Sequence, residues 1–221
     1  MARSDHRSAR PFLPDDRSLD SLARAADGCQ GCPLYKGASQ TVFGEGPANA
    51  QLMLVGEQPG TKEDQTGKPF VGPAGEVLDR ALDEAGLDRN ELFITNAVKH
   101  YKSGSDNESH TRLKPTVGEI RACRPWLEAE IQALRPQIIV AMGAVAARSL
   151  SGQAIAIGEV REQWLQTVDG RDLFVTYHPS AALQAPASID RERIFDALVD
   201  DLRRAKDYIL STQTGPRPGA Q

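Results

Sequence analysis

Four short apolar runs, separated by stretches with helical spacing, limit the fold of this chain more than any other feature. Residues 51–55, 92–98, 137–142 and 173–177 are rich in β-branched and apolar side chains and have the length of buried strands. Between and after them the period changes. Val77, Leu78, Ala81, Leu82 and Ala85 recur at helical spacing and stop at Gly86, and Ile194, Leu198, Leu202, Ala205 and Ile209 repeat the pattern near the C-terminus. Thr116 followed by Glu119 reads as a capping box opening a helix toward Leu134, and Pro125 predicts a kink or break near Arg124. Strands that alternate with helices form a parallel sheet covered on both faces. The expectation is an α/β fold, a single-domain three-layer α/β/α sandwich around a central parallel four-stranded sheet.

Composition sets the surroundings of that domain. At 221 residues the chain can bury a real core, and its 40% apolar and 25% charged residues are ordinary for a globular protein. Residues 1–20 are mostly polar, and residues 212–221 are rich in proline and glycine, so a disordered arm and tail are expected around a domain at 21–211. No apolar run approaches the roughly 20 residues of a membrane span, and the polar, arginine-bearing start lacks a secretory apolar stretch. A cytoplasmic monomer without membrane contact is therefore expected. A net charge of −4 argues against a protein that coats nucleic acid nonspecifically, because such affinity comes from phosphate contacts. Local basic strips remain, with Arg112, Lys114, Arg121 and Arg124 close together in sequence.

Ligands of parallel sheets sit beyond the carboxyl ends of the strands. Gly56-Glu57-Gln58-Pro59-Gly60 follows the first run, Asn96 lies near the end of the second, and His178-Pro179 follows the fourth. These three positions should face one crevice although they are remote in sequence. Lys68-Pro69-Phe70-Val71-Gly72 adds an aromatic ring. The cysteines make a second constellation: Cys29 and Cys32 form a C-x-x-C pair, Cys123 stands alone, and His100 lies just past a strand. Three thiols cannot all pair, and this spacing suits a zinc site or an iron–sulfur cluster equally, with a redox dithiol as a third reading.

Together these segments resemble a known family. Cys29-x-x-Cys32-Pro33-Leu34, Val42-Phe43-Gly44-Glu45-Gly46, Gly56-Glu57-Gln58-Pro59-Gly60, Gly67-Lys68-Pro69-Phe70-Val71-Gly72, Thr95-Asn96-Ala97-Val98-Lys99 and His178-Pro179-Ser180 are similar to the iron–sulfur uracil-DNA glycosylases of family 4. Gln58, Lys99-His100 in place of Lys-Cys, and an extended segment before Pro115 resemble the UdgX-like branch. That likeness implies a four-iron, four-sulfur cluster on Cys29, Cys32, His100 and Cys123, and uracil-containing DNA, single- or double-stranded, as partner. It also implies site roles. Glu57 and His178 would be catalytic, Gln58, Gly60, Asp64, Phe70 and Asn96 would shape or contact the base, and Arg112, Lys114 and Ser180 would meet the DNA backbone.

In the UdgX-like branch a histidine of the extension bonds covalently to the abasic sugar. Counted back from Pro115, that position is Arg112 here, with His110 two residues away, so His110 becomes the candidate for capture. The family's Leu-Leu-Arg after the His-Pro motif reads Ala182-Leu183-Gln184. Two other classes fit some of these residues: a noncatalytic reader of damaged bases, which would need no Glu57, and a redox protein using Cys29 and Cys32.

Overall fold

The computed structural model describes residues 7–104 and 113–214. Five strands form one sheet: β1 (Leu52–Gly56), β2 (Phe93–Asn96), β3 (Ile138–Met142), β4 (Leu165–Gln166) and β5 (Asp172–Thr176). Among the described residues eight α-helices accompany them: α1 (Leu19–Ala26), α2 (Thr61–Thr66), α3 (Pro73–Ala85), α4 (Val117–Leu134), α5 (Ala144–Ser151), α6 (Ile157–Val160), α7 (Pro179–Gln184) and α8 (Ser188–Thr214). The sheet order is β2-β1-β3-β5-β4. The first four strands in that order are parallel, and β4 is antiparallel to β5.

The four sequence-predicted strands all form. The sheet nevertheless has a fifth, two-residue strand that the apolar pattern did not reveal. Its signal is Asp169-Gly170, where Gly170 takes φ 80° and turns the chain back toward β5. The three layers follow from alternation along each strand. Leu52, Leu54, Ile94, Val140 and Phe174 point to the face packed by α3 and α8. Met53, Val55, Phe93, Ile139 and Val175 point to the face packed by α4 and α5.

Two local expectations need correction. Thr116 does cap α4, accepting from the Glu119 amide at 3.3 Å while Glu119 Oε2 accepts from the Thr116 amide at 2.7 Å. The helix then runs through Pro125 without ending. The carbonyl that loses its partner there belongs to solvent-exposed Arg121, where the loss is cheap. The expected disordered arm is also ordered where it is described. Ala9 is buried and its amide donates to the Ala122 carbonyl at 2.8 Å, while Phe12 and Leu13 pack on the same cluster as Trp126. A mostly polar composition hid those few apolar anchors. At the other end α8 continues to Thr214, past the expected boundary at 212.

The register aligns the carboxyl ends. Gly56 pairs with Asn96, and Met142 with Thr176. From β1 the chain passes outward to β2 and then returns to β3 on the other side, so β1 and β3 flank a topological switch point, where α/β sheets leave a crevice. Among the described residues no helix is long and apolar enough to cross a membrane.

Candidate active site

A cleft of about 430 Å³ opens at this edge. Gln58 and Gly60 come to it from the turn after β1, Phe70 from the loop before α3, Asn96 from the end of β2, and His178 and Ser180 from the start of α7. Six residues singled out from the sequence thus share one cavity.

Asn96 lies at its floor, only 2% exposed. Its Oδ1 is buried without a hydrogen-bond partner among the described residues. A buried amide oxygen left without a partner is unfavourable, so the position favours a ligand that brings a donor. Gly56 makes the approach possible. A Cβ added there would stand 2.4 Å from both Asn96 Oδ1 and Phe70 Cζ, so only glycine lets the ring and the amide converge over the end of β1.

The orientation of His178 follows from its position as the N-cap of α7. Its Nδ1 lies 3.2 Å from the Ser180 amide, which can only donate, so Nδ1 accepts and the ring proton belongs on Nε2. Ser180 Oγ, 2.8 Å from the same nitrogen, adds a second contact. The result is an imidazole with a fixed N–H donor, its ring centroid 5.8 Å from that of Phe70.

Other predicted residues are placed differently. Glu57 follows β1 directly and is half-buried, and its carbonyl accepts from Val98, but its side chain is not among those lining the cleft. Its neighbour Gln58 is buried and lines the cleft. Asp64 is buried facing away from the cleft. Both of its carboxylate oxygens accept from the Ser39 amide at 3.0 Å, and its carbonyl accepts from Gln40, so it fastens a neighbouring loop. Lys114 is exposed beside Leu113, whose carbonyl accepts from Gln58 Nε2 at 2.7 Å. His110 and Arg112 lie outside the described residues.

The sequence reading missed two groups. Glu63 lines the cleft as a buried carboxylate and accepts from the Gly60 amide at 3.0 Å. Its signal is a glutamate three residues after Gly60, the position from which a side chain reaches back to the start of α2. Lys99 appeared in a motif but received no role. It is fully buried with Glu130, Nζ to Oε2 at 2.6 Å, and it also donates to Thr95 Oγ1 and to the Asn96 carbonyl at 2.8 Å. No spacing rule reveals such a pair, because its partner lies 31 residues away on α4.

Behind this site lies the cysteine constellation. Cys29, Cys32 and Cys123 are buried, unpaired by disulfides, and members of one cluster with Trp126 and Val98. Trp126 Nε1 donates to Cys29 Sγ and the Lys99 amide to Cys123 Sγ, each at 3.2 Å. Burial pushes the Cys123 thiol up to about 12 and raises that of Cys32. Burial lowers the pKa of His100. Its Nε2 is 3.0 Å from Thr41 Oγ1, and that hydroxyl already donates to the Ala26 carbonyl, so Nε2 is the donor and Nδ1 keeps its lone pair. Among the described residues no three His, Cys, Asp or Glu side chains gather closely enough to grip one metal ion.

Comparison with known proteins agrees with this geometry. Residues 43–203 match the family model described as the Uracil DNA glycosylase superfamily. A Type-4 uracil-DNA glycosylase of Saccharolobus solfataricus is 36% identical over 202 residues, covering 88% of each chain. Its counterpart in Thermotoga maritima is 35% identical over 192 residues, covering 86% of this chain and 94% of that one. A Type-5 uracil-DNA glycosylase of Thermus thermophilus is more distant, at 28% over 186 residues. With a switch-point cleft built from the motif residues and a family match over most of its length, the chain belongs to the uracil-DNA glycosylase superfamily.

Proposed function

We propose that this protein excises uracil from DNA by cleaving the N-glycosidic bond of an extruded deoxyuridine. The observation that carries this reading is the buried Asn96 Oδ1, without a partner among the described residues, in a cleft shared with an aromatic ring and a fixed imidazole donor. Uracil offers N3–H to that oxygen and O4 to the amide nitrogen, and cytosine reverses the pattern. Extrusion costs roughly a few kcal/mol. Stacking on Phe70, roughly 1–3 kcal/mol per base, offsets much of it. As the bond breaks, the base gains negative charge at O2, where the Nε2–H of His178 stabilises it, and the sugar becomes positive. Glu57, at the same sheet edge, supplies the carboxylate that favours this cation and orients water. Ser180 and Lys114 meet the backbone of single- or double-stranded substrate. The protein works as a cytoplasmic monomer.

Cys29, Cys32, His100 and Cys123 hold a four-iron, four-sulfur cluster in this reading. Their burial, the N–H donors aimed at two of the sulfurs and the lone pair left on His100 Nδ1 suit it. Its contribution is structural, joining the N-terminal segment to α4.

A second reading keeps the same cleft but has His110 capture the sugar cation in place of water, as in the UdgX-like branch that Gln58 and His100 resemble. What favours it is that Leu113, three residues after His110 in sequence, accepts through its carbonyl from cleft-lining Gln58. Incubation with uracil-containing oligonucleotides, followed by alkali and by a denaturing protein gel, tests both readings. Strand scission with multiple turnovers supports hydrolysis, and a persistent shifted band lost in His110→Ala supports capture. Intact uracil sites in single and double strands alike would dismiss both. Binding retained by wild type without cleavage would make the protein a reader of damaged bases.

A further inference from the structure

Phe70 is held in an unusual conformation. Its φ of 54° is in the left-handed region, which bulky residues rarely adopt, and its neighbours specify it from both sides. On the preceding side, Arg89 Nη2 donates to the Pro69 carbonyl at 3.0 Å and to the Phe70 carbonyl at 3.2 Å. Arg89 is itself steered by Asp79, Nη1 to Oδ1 at 2.6 Å. On the following side, Glu63 Oε1 accepts from the amides of Val71 at 3.0 Å and Gly72 at 2.8 Å, while Oε2 holds Gly60. Gly75 completes the seat, since a Cβ there would lie 2.0 Å from the Phe70 carbonyl oxygen.

We infer that Glu63 and Arg89 are positioning residues that lock Phe70 as a preformed stacking face, so that an extruded base meets a rigid ring. A locked ring loses no freedom when the base arrives, which strengthens base binding. Bond breaking depends instead on groups at the sugar and at O2. The pair should therefore govern KM more than kcat. This rests on the uracil-excision reading.

Labelling with 4-fluorophenylalanine tests the clamp without substrate. The chain has six phenylalanines, and loss of one line in Phe70→Leu assigns the relevant resonance. In Arg89→Ala and in Glu63→Ala that line should shift or broaden while the other five stay in place, which certifies the fold. Kinetically, each variant should raise KM for a uracil oligonucleotide roughly tenfold to hundredfold, with kcat changed far less. Arg89→Lys, which can reach one carbonyl, should fall between. In a Phe70→Ala background Arg89→Ala should add nothing further. An unmoved Phe70 line, or losses that multiply in that background, would overturn the inference. Inactive wild type would sink the uracil reading alone, because the fluorine spectrum still decides the clamp.

Discussion

Replacing Lys99 by methionine would leave the Glu130 carboxylate buried without its cation. Both side chains are fully inaccessible, and the ammonium uses its three protons on Glu130 Oε2, Thr95 Oγ1 and the Asn96 carbonyl. Breaking one side of such a pair costs about 3–5 kcal/mol, because the remaining charge stays desolvated. That is a large part of the roughly 5–15 kcal/mol by which a domain is stable. For a chain of this size it lowers Tm by about 6–20 °C. The pH dependence has a definite sign. Burial already raises the pKa of Glu130 and Lys99 opposes that rise, so in the variant the folded carboxyl binds its proton still more firmly. A folded pKa above the unfolded one favours the folded state at low pH, so the deficit should shrink as pH falls from neutrality toward about 4.3. Urea unfolding across that range measures it. Adding Glu130→Gln removes the stranded charge and keeps an oxygen for the Gly44 amide and Thr95, so the double variant should recover much of the loss. A single-variant cost below about 1 kcal/mol, the value of an exposed pair, would refute the reasoning, as would a double variant less stable than the single.

Three further outcomes are expected. Gly56→Ala places a methyl 2.4 Å from both Asn96 Oδ1 and the Phe70 ring, so kcat/KM for uracil excision should fall roughly hundredfold through misplaced recognition groups. Near wild-type activity would mean that the two groups do not act together. Asp201 has its pKa raised to about 6 by burial, against the pull of Thr176 and Arg161. Its protonated form therefore favours folding below that value, and the benefit is lost as pH rises through it. Asp201→Asn, which resembles the protonated side chain, should raise Tm at about pH 8 and have little effect near pH 4, as differential scanning fluorimetry would show. Anaerobically purified protein should be brown and contain iron and sulfide in equal amounts, with Cys123→Ser losing both. A colourless, zinc-loaded protein would reject the cluster.

Much of the architecture was legible because buried parallel strands are continuous apolar runs and their covering helices keep a 3.6-residue period. That is why β1, β2, β3, β5, α3 and α8 were found close to their positions. The rule that sites form at strand ends pointed to Glu57, Asn96 and His178, and the family resemblance added Gln58 and Phe70. Both Glu57 and Gln58 were expected at the site, and of the two it is Gln58 that lines the cleft. Asp64 came from the resemblance, and its carboxylate accepts from the Ser39 amide while the neighbouring Glu63 lines the cleft. Polar contacts over long separations left no trace in the pattern: Lys99 with Glu130, Arg89 with the Phe70 carbonyl. The packed arm around Ala9 was hidden because three apolar anchors hardly alter a local composition.

The central claim is that Asn96, Phe70 and His178 surround one extruded uracil. Single-turnover excision from an oligonucleotide carrying one uracil or one cytosine at the same position, by wild type and by Asn96→Asp, tests it most directly. Wild type should release uracil and leave cytosine in place, and the substitution, which removes the amide donor, should lower the uracil rate by at least about tenfold. Equal rates for the two enzymes on uracil would show that this amide does not read the base.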